Sequence, residues 1–330
     1  MTTPINTDTL RIHSIRALQP GPRLIVLGAV HGNEICGTRA IERVLAQIDS
    51  GALRLSRGTV TFVPVTNPLA YQTRQRAADR NLNRNLRPNA QPQSYEDRIA
   101  NLLCPLLAQH HVLLDLHSFH ACGEPFAMIG PPDNDGTLEP FACAAREEAL
   151  ALRLGPRRIV EGWLATYADG VKSRLQRTAP TDRAQLLNID PCYGVGTTEY
   201  MRSQGGHAVT LECGQHGDPQ APEVGYRAIC NTLAHLGLTD EASPAARTDT
   251  ELLRLAEVID RFHTDDRFVR EWASYDPLRA GELIGTRADG TPVLAPDDGF
   301  IVFPHPAALP GNEWFYFARR SARVLRLTQQ

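Results

Sequence analysis

An α/β fold with a smaller all-β region at the C-terminal end follows from three features of the sequence. Short apolar runs alternate with segments of helical spacing as far as Leu236, and polar residues gather just past the ends of those runs. Beyond Arg247 the alternation gives way to short pieces of period two separated by turns.

The elements justify this in order. Arg23 to Val30 (RLIVLGAV) reads as a buried strand passing through Gly28 into the loop HGNE, and Ile35 to Ile48 has helical spacing. A second apolar run, Thr59 to Val65, leads into Asn67-Pro68. The helical pattern of Glu96 to Gln109 precedes a third run, His111 to Leu116. Ala208 to Leu211 forms a further strand ending at Glu212-Cys213-Gly214, and Pro222 to Leu236 a further helix. In such sheets ligands bind beyond the carboxyl ends of strands, where these polar residues stand. Gly237 to Arg247 reads as a linker. Leu252 to Phe262 alternates as a strand, and Asp289-Gly290 and Asp298-Gly299 read as tight turns between later strands. The expected division is an α/β unit over residues 1–240 and a β-rich unit over 241–330.

With 330 residues, about two domains are expected. The 34 basic residues against 37 acidic ones give a net charge of −3, which excludes a dedicated nucleic-acid binder. The opening MTTPINTDTL has neither the basic start nor the apolar core of a secretory signal, so a cytoplasmic location is expected. No apolar run approaches the ~18 residues of a membrane span. Seven cysteines, scattered and without a CxxC pair, are expected to be reduced and mostly buried.

His31 and Glu34 offer a nitrogen and an oxygen ligand from one turn of chain. The same pair would also serve as a helix-capping histidine with a glutamate at the helix's positive end. His117, at the end of an independent strand, is a third ligand candidate and completes a His/Glu/His set with an open position for zinc. Asp115, two residues earlier on the same side of an extended chain, would orient a ligand imidazole, or else be a buried aspartate pairing with a neighbouring loop. Ser118, His120, His110 and His111 are taken as bystanders. Glu212 would enter the same cleft as a general base, or else be a strand-end glutamate accepting backbone hydrogen bonds. Arg74 to Arg87 carries five arginines and three asparagines. Without aromatic interleaving and with a net negative chain, it suits a small anionic substrate better than a nucleic acid, or else is a solvated loop.

In this order, HGNE (31–34), NP (67–68), the arginine and Asn-Arg pair at 76, 83 and 84, DLHS (115–118) and LECG (211–214) resemble the succinylglutamate desuccinylase/aspartoacylase family. These are zinc amidohydrolases related to zinc carboxypeptidases. The segment AGELIGTRADGTPVLAPDDGFIVFP is similar to the lipoyl-like barrel common at the C-terminus of bacterial members. The resemblance implies a central mixed sheet flanked by helices, one Zn²⁺ per chain on His31, Glu34 and His117, and Glu212 as general base and acid. It further implies Arg76 at the carbonyl oxyanion, Asn83 and Arg84 on the substrate's α-carboxylate, and Arg202, ten residues before Glu212, on a substrate carboxylate. The partner would be a small anionic acyl-amino-acid-like substrate, neither nucleic acid nor membrane, and homo-oligomers are compatible with the family.

Two positions depart from the family pattern. The usual Asp-Leu-Asn-Arg reads Asn81-Leu82-Asn83-Arg84, one negative charge fewer near the metal. Where a tyrosine reaches in from the C-terminal domain of aspartoacylase, the nearest counterparts are Trp314 and Tyr316. The expected reaction is hydrolysis of an amide bond of a small N-acyl amino acid. The alternatives are a carboxypeptidase-like activity on short peptides and a zinc-binding homologue without catalysis.

Overall fold

Alternate residues of the first long strand point into two different cores, and that decides how the sheet is covered. In the computed structural model, which describes residues 6–178 and 189–326, the chain begins β1 (His13–Arg16), β2 (Gln19–Leu27), α1 (Cys36–Asp49), β3 (Arg57–Val63) and α2 (Pro68–Thr73). It continues through α3 (Tyr95–Ala108), β4 (Val112–Phe119), β5 (Phe126–Met128), α4 (Ala144–Ala151), β6 (Arg158–Glu161) and α5 (Trp163–Arg177). Then come α6 (Thr197–Ser203), β7 (His207–Gln215) and α7 (Ala221–His235). Leu24 and Val26 of β2 join one cluster with Ile41 and Val44 of α1 and Ile229 of α7; Ile25 and Leu27 join another with Ile99 and Leu103 of α3 and Met201 of α6. A sheet covered on both faces needs strands apolar on both sides, which is why these read as continuous runs rather than alternating ones.

The remaining strands are β8 (Glu251–Asp260), β9 (Arg267–Phe268), β10 (Pro277–Leu278), β11 (Leu283–Thr286), β12 (Pro292–Leu294), β13 (Gly299–Val302) and β14 (Glu313–Arg320). Eleven strands form one mixed sheet in the order β1-β3-β2-β4-β7-β5-β6-β8-β14-β13-β10, and β12-β11-β9 form a small second sheet. The central β3-β2-β4-β7 block is parallel, β5 runs antiparallel to β7, and β8 pairs in parallel with β6. The β-rich end of the chain thus extends the main sheet. No helix among the described residues is long and apolar enough to cross a membrane.

The turn at Asp289-Gly290 forms as expected: Gly290 has φ +86° and the loop joins the antiparallel pair β11–β12. Asp298-Gly299 does not close a hairpin, because the strands on either side of it, β12 and β13, belong to different sheets. All seven cysteines are free, but only Cys36, Cys104 and Cys213 are buried; Cys122 and Cys192 are exposed, so burial is not the general rule expected.

Candidate active site

The parallel register of β4 and β7 sets Leu113 against Ala208, Asp115 against Thr210 and His117 against Glu212. With a period of two, Asp115, His117 and Glu212 share one sheet face. Leu113 and Ala208 on that face feed the core under α3 and α6, so the polar residues begin where the covering helices stop. From β2 the chain enters the loop holding His31 and Glu34, folded back by a Glu34 N–H to His31 carbonyl bond of 3.1 Å. Gly32 has no alternative there: a Cβ would fall 1.9 Å from the Ala70 carbonyl carbon.

His31, Glu34 and His117 are all buried, and each offers a ligand atom within 4.8 Å of the others. Glu34 Oε2 lies 2.8 Å from His117 Nδ1 and accepts from the Ser118 N–H at 3.1 Å. His31 Nδ1 stands 2.9 Å from Glu34 Oε1 but outside hydrogen-bonding geometry, which leaves it a buried atom without a partner. The far nitrogen of His31 is held from behind: Nε2 meets Asn81 Oδ1 at 2.9 Å. His117 Nε2 faces Asp115 Oδ2 at 2.9 Å but outside hydrogen-bonding geometry, so it too is a buried atom without a partner. A ligand imidazole normally has its second nitrogen fixed by a carboxylate or carbonyl in this way. Asn81 has only an amide where the family has aspartate, yet its carbonyl oxygen can accept the same N–H and fix the same tautomer.

Burial, with Arg76 adding to it, lowers His31 to about 4, so its imidazole is neutral and able to ligate. For His117 burial works in the same direction but is outweighed by Asp115 and Glu34, which raise it well above the usual range. Glu34 resists its own burial through the two histidines and stays well below the carboxylate range. Two nitrogens and a carboxylate oxygen, with an orphaned nitrogen among them, fit a zinc ion.

Glu212 is buried with Oε2 unpartnered. Burial, reinforced by Glu34 and opposed by His117 and Arg76, raises its carboxyl to about 8. Arg76 donates from Nη1 to Glu34 Oε1 at 2.9 Å, with 52% of its side chain exposed. Its loop is shaped by a buried carboxylate: Glu96 accepts from the N–H groups of Ala78, Asp79 and Arg80 and from Asn67 Nδ2. Arg80 binds Asp97 and the Arg84 carbonyl, so this arginine braces the loop. Asn83 Oδ1 accepts from Thr197 N at 2.8 Å, and Thr197 Oγ1 donates to Asp115. Arg84 lies 4.6 Å over the Trp163 ring, a cation–π contact that fixes the guanidinium.

Arg202 is a correction. Its Nε donates to Glu147, Nη1 reaches Glu139 at 2.8 Å and Glu199 at 3.3 Å, and Nη2 donates to the Ala208 carbonyl at 3.0 Å. The residue, on α6, is buried against the start of β7, where its partner Ala208 stands four residues before Glu212, and each of its side-chain nitrogens already donates. Three internal carboxylates, not a substrate, use this guanidinium. Arg202→Ala would leave them buried and uncompensated, so a loss of about 3–5 kcal/mol is expected in urea unfolding. A loss within the range of ordinary surface substitutions would reopen a ligand role.

Trp314 is wholly buried and stacks on Phe268 at 4.4 Å, away from any ligand role. Tyr316 is also buried, 5.5 Å from the Trp163 ring that carries Arg84, with its hydroxyl unpartnered. Sequence reasoning sets His120 aside as a bystander and does not single out His216 or His305. Ser118 Oγ lies 2.9 Å from His216 Nδ1, and the His120 ring is 6.0 Å from that of His216 and 5.0 Å from that of His305. His216 and His305 are separated by almost ninety residues, and no local spacing links them.

Residues 20–145 match the family described as Succinylglutamate desuccinylase/Aspartoacylase catalytic domain, so the resemblance read from the motifs holds. Among solved structures, the chain is similar to a succinylglutamate desuccinylase/aspartoacylase from Rhodobacter sphaeroides at 19% identity and TM-score 0.70, over 94% of this chain and 90% of that one. It is similar to succinylglutamate desuccinylase from Vibrio cholerae at 16% identity and TM-score 0.69, over 96% and 92%. The product-bound ectoine utilization protein EutE (DoeB) from Ruegeria pomeroyi matches at 20% identity and TM-score 0.67, over 93% and 88%. These likenesses establish the fold. No curated protein matches the sequence.

Proposed function

We propose that the chain is a zinc-dependent amidohydrolase that cleaves a small N-acyl amino acid, or a related carboxylate-bearing amide, to a carboxylic acid and a free amine. The observation that carries this reading is the buried His31, Glu34 and His117 trio with Glu212 beside it on the next strand. Those three residues would hold one Zn²⁺ per chain, which when bound supplies Lewis acidity and a water acidified to near-neutral pKa.

The protein's own groups do the rest. Glu212 takes the proton of the attacking water on its carboxylate and returns it to the departing nitrogen. Arg76, half exposed beside Glu34, sets a fixed positive charge where the tetrahedral oxyanion forms. The Asn83 amide and the Arg84 guanidinium hold the α-carboxylate and so fix where the scissile carbonyl lies. In this reading residues 1–240 supply the chemistry and residues 241–330 a β-rich unit beside it.

The test is a screen of zinc-loaded protein for primary amine released from N-acyl amino acids and short peptides, with a chelator control and Glu212→Ala alongside. Chelator-sensitive release from acyl amino acids is expected. Release from peptides alone, or from nothing, would overturn the reading. Arg84→Ala is expected to raise KM about tenfold or more for substrates with a free α-carboxylate, and to change their methyl esters less than about twofold. Equal losses on acid and ester would remove Arg84 from the carboxylate.

A further inference from the structure

Three carboxylates share the Arg202 guanidinium at the amino end of β7, and they are not equally provided for. Glu147 of α4 accepts from the N–H groups of Gly130 and Ala208 and from Arg202 Nε. Glu199 of α6 accepts from the Gly196 N–H at 2.9 Å, the Thr198 hydroxyl at 3.0 Å and Arg202 Nη1 at 3.3 Å. Glu139 comes from the loop between β5 and α4, and only 13% of its side chain is exposed. Among the described residues its carboxylate accepts from Arg202 Nη1 alone, at 2.8 Å, a donor it shares with Glu199.

One positive charge does not balance three carboxylates held out of water, so one of the three must keep a proton. Counting donors assigns it to Glu139. Burial raises Glu139, against the charge of Arg202 and helped by Glu199 and Glu147, to about 7. The other groups of the region do not take this part. His207, which begins β7 and feels Arg202 and Arg146, is lowered by burial to about 3 and stays neutral, while Glu148 and Glu161 are paired with Arg323. The loop itself has a defined shape. Asn134 and Phe141 exchange both backbone bonds, at 2.8 and 3.0 Å, Asp133 accepts from the Ala144 N–H at the start of α4, and residues 135–137 between them are exposed. The Phe141 ring lies 5.7 Å from the Arg202 guanidinium, so the loop closes on Arg202 with an aromatic side chain as well as a carboxyl.

We infer that Glu139 is a proton-operated latch on the loop between β5 and α4. With its proton the side chain lies in the cluster and the loop is closed over Arg202. Without it the carboxylate leaves for water, Nη1 is left to Glu199, and the turn joining Asn134 to Phe141 opens as a unit. The sign comes from linkage: the open loop gives up the Glu139 proton near the ordinary 4.5, and the closed loop only near 7. Closure is therefore strongest below the first value and weakens as pH rises through the second. Because β5 runs antiparallel to β7, with Phe126 against Glu212 and Met128 against Thr210, the loop leaves the sheet at the end away from the metal-ligand trio. The latch stands independently of the function proposed above.

The amides of Asn134 and Phe141, bonded across the loop, report its opening through hydrogen exchange. In the full-length protein their protection, corrected for the intrinsic base-catalysed rate, should fall by at least about tenfold in total from about pH 5 to about pH 7 and level off above. Glu139→Gln keeps the shape of the side chain and never ionises, so it should hold the protection of wild type at low pH across the whole range. Glu139→Ala removes the latch and should leave both amides weakly protected with no dependence on pH. Protection in wild type that does not change with pH would overturn the inference, as would the same fall in Glu139→Gln. Full protection in Glu139→Ala would do so too, since the loop would then be closed by something other than Glu139.

Discussion

Glu212→Gln is expected to cut turnover by about two to four orders of magnitude while leaving the metal content at one per chain, the loss associated with removing a positioned general base. The substitution keeps the shape of the side chain and removes only its capacity to accept a proton. Glu212 already has an unpartnered Oε2 in a buried setting, and burial raises its carboxyl to about 8, so the site is built around a group that exchanges a proton near neutrality. A second readout does not depend on activity. The folded metal-free protein keeps the Glu212 proton up to about pH 8, whereas the unfolded chain releases it near the ordinary value of 4.5. Its contribution to stability is therefore complete below the unfolded value and is lost as pH rises through the folded one. Metal-free wild type should lose more stability to urea between those two pH values than Glu212→Gln, which has no proton there to lose. Loss of metal in the variant would make Glu212 a ligand, and full turnover would remove it from the chemistry.

How much of this was legible in the sequence depended on what each signal measures. The strands that position the site were readable because a parallel strand buried on both faces must be apolar throughout, as Leu24–Leu27 and Val112–Leu114 are. His31 and Glu34 were readable because their partnership is local. β5 and β6 yield no element from sequence, since strands of three and four residues carry too little pattern to distinguish from loop; the helices α4 and α5 of the same region are not read from sequence either. Arg202 misled for a related reason. Spacing before Glu212 reports where an arginine lies in the chain, whereas its fate was settled by Glu139 and Glu147, some sixty residues earlier, folding onto it. His120 reads as a bystander because extra histidines near a metal commonly are, and its ring neighbours His216 and His305 come from distant loops that no local spacing links. Asn81 read as a lost charge. The bond to His31 shows what is kept, an acceptor oxygen at the right distance.

His117→Ala should abolish both metal binding and turnover, with metal per chain falling close to zero after dialysis. Removing a partner behind a ligand typically costs about 10–100-fold in metal affinity, so removing the ligand itself must cost more. The same change has a structural consequence that makes it diagnostic. Glu34 is buried, and in the structure His117 is one of the groups that keep it ionised; without the imidazole, Oε2 keeps only the Ser118 N–H. A buried carboxylate stripped of its partner is expensive, on the order of 3–5 kcal/mol. Metal-free His117→Ala should therefore unfold at lower urea than metal-free wild type, and added zinc, which is expected to stabilise wild type by binding the folded state, should fail to rescue it. His31→Ala should lose metal as completely but destabilise less, because its Nδ1 makes no hydrogen bond to give up and Glu34 retains His117. Normal metal content with normal kinetics in either variant would refute the ligand assignment. Zinc loss without the difference in stability would mean that Glu34 is held by its other neighbours, Arg76 first among them.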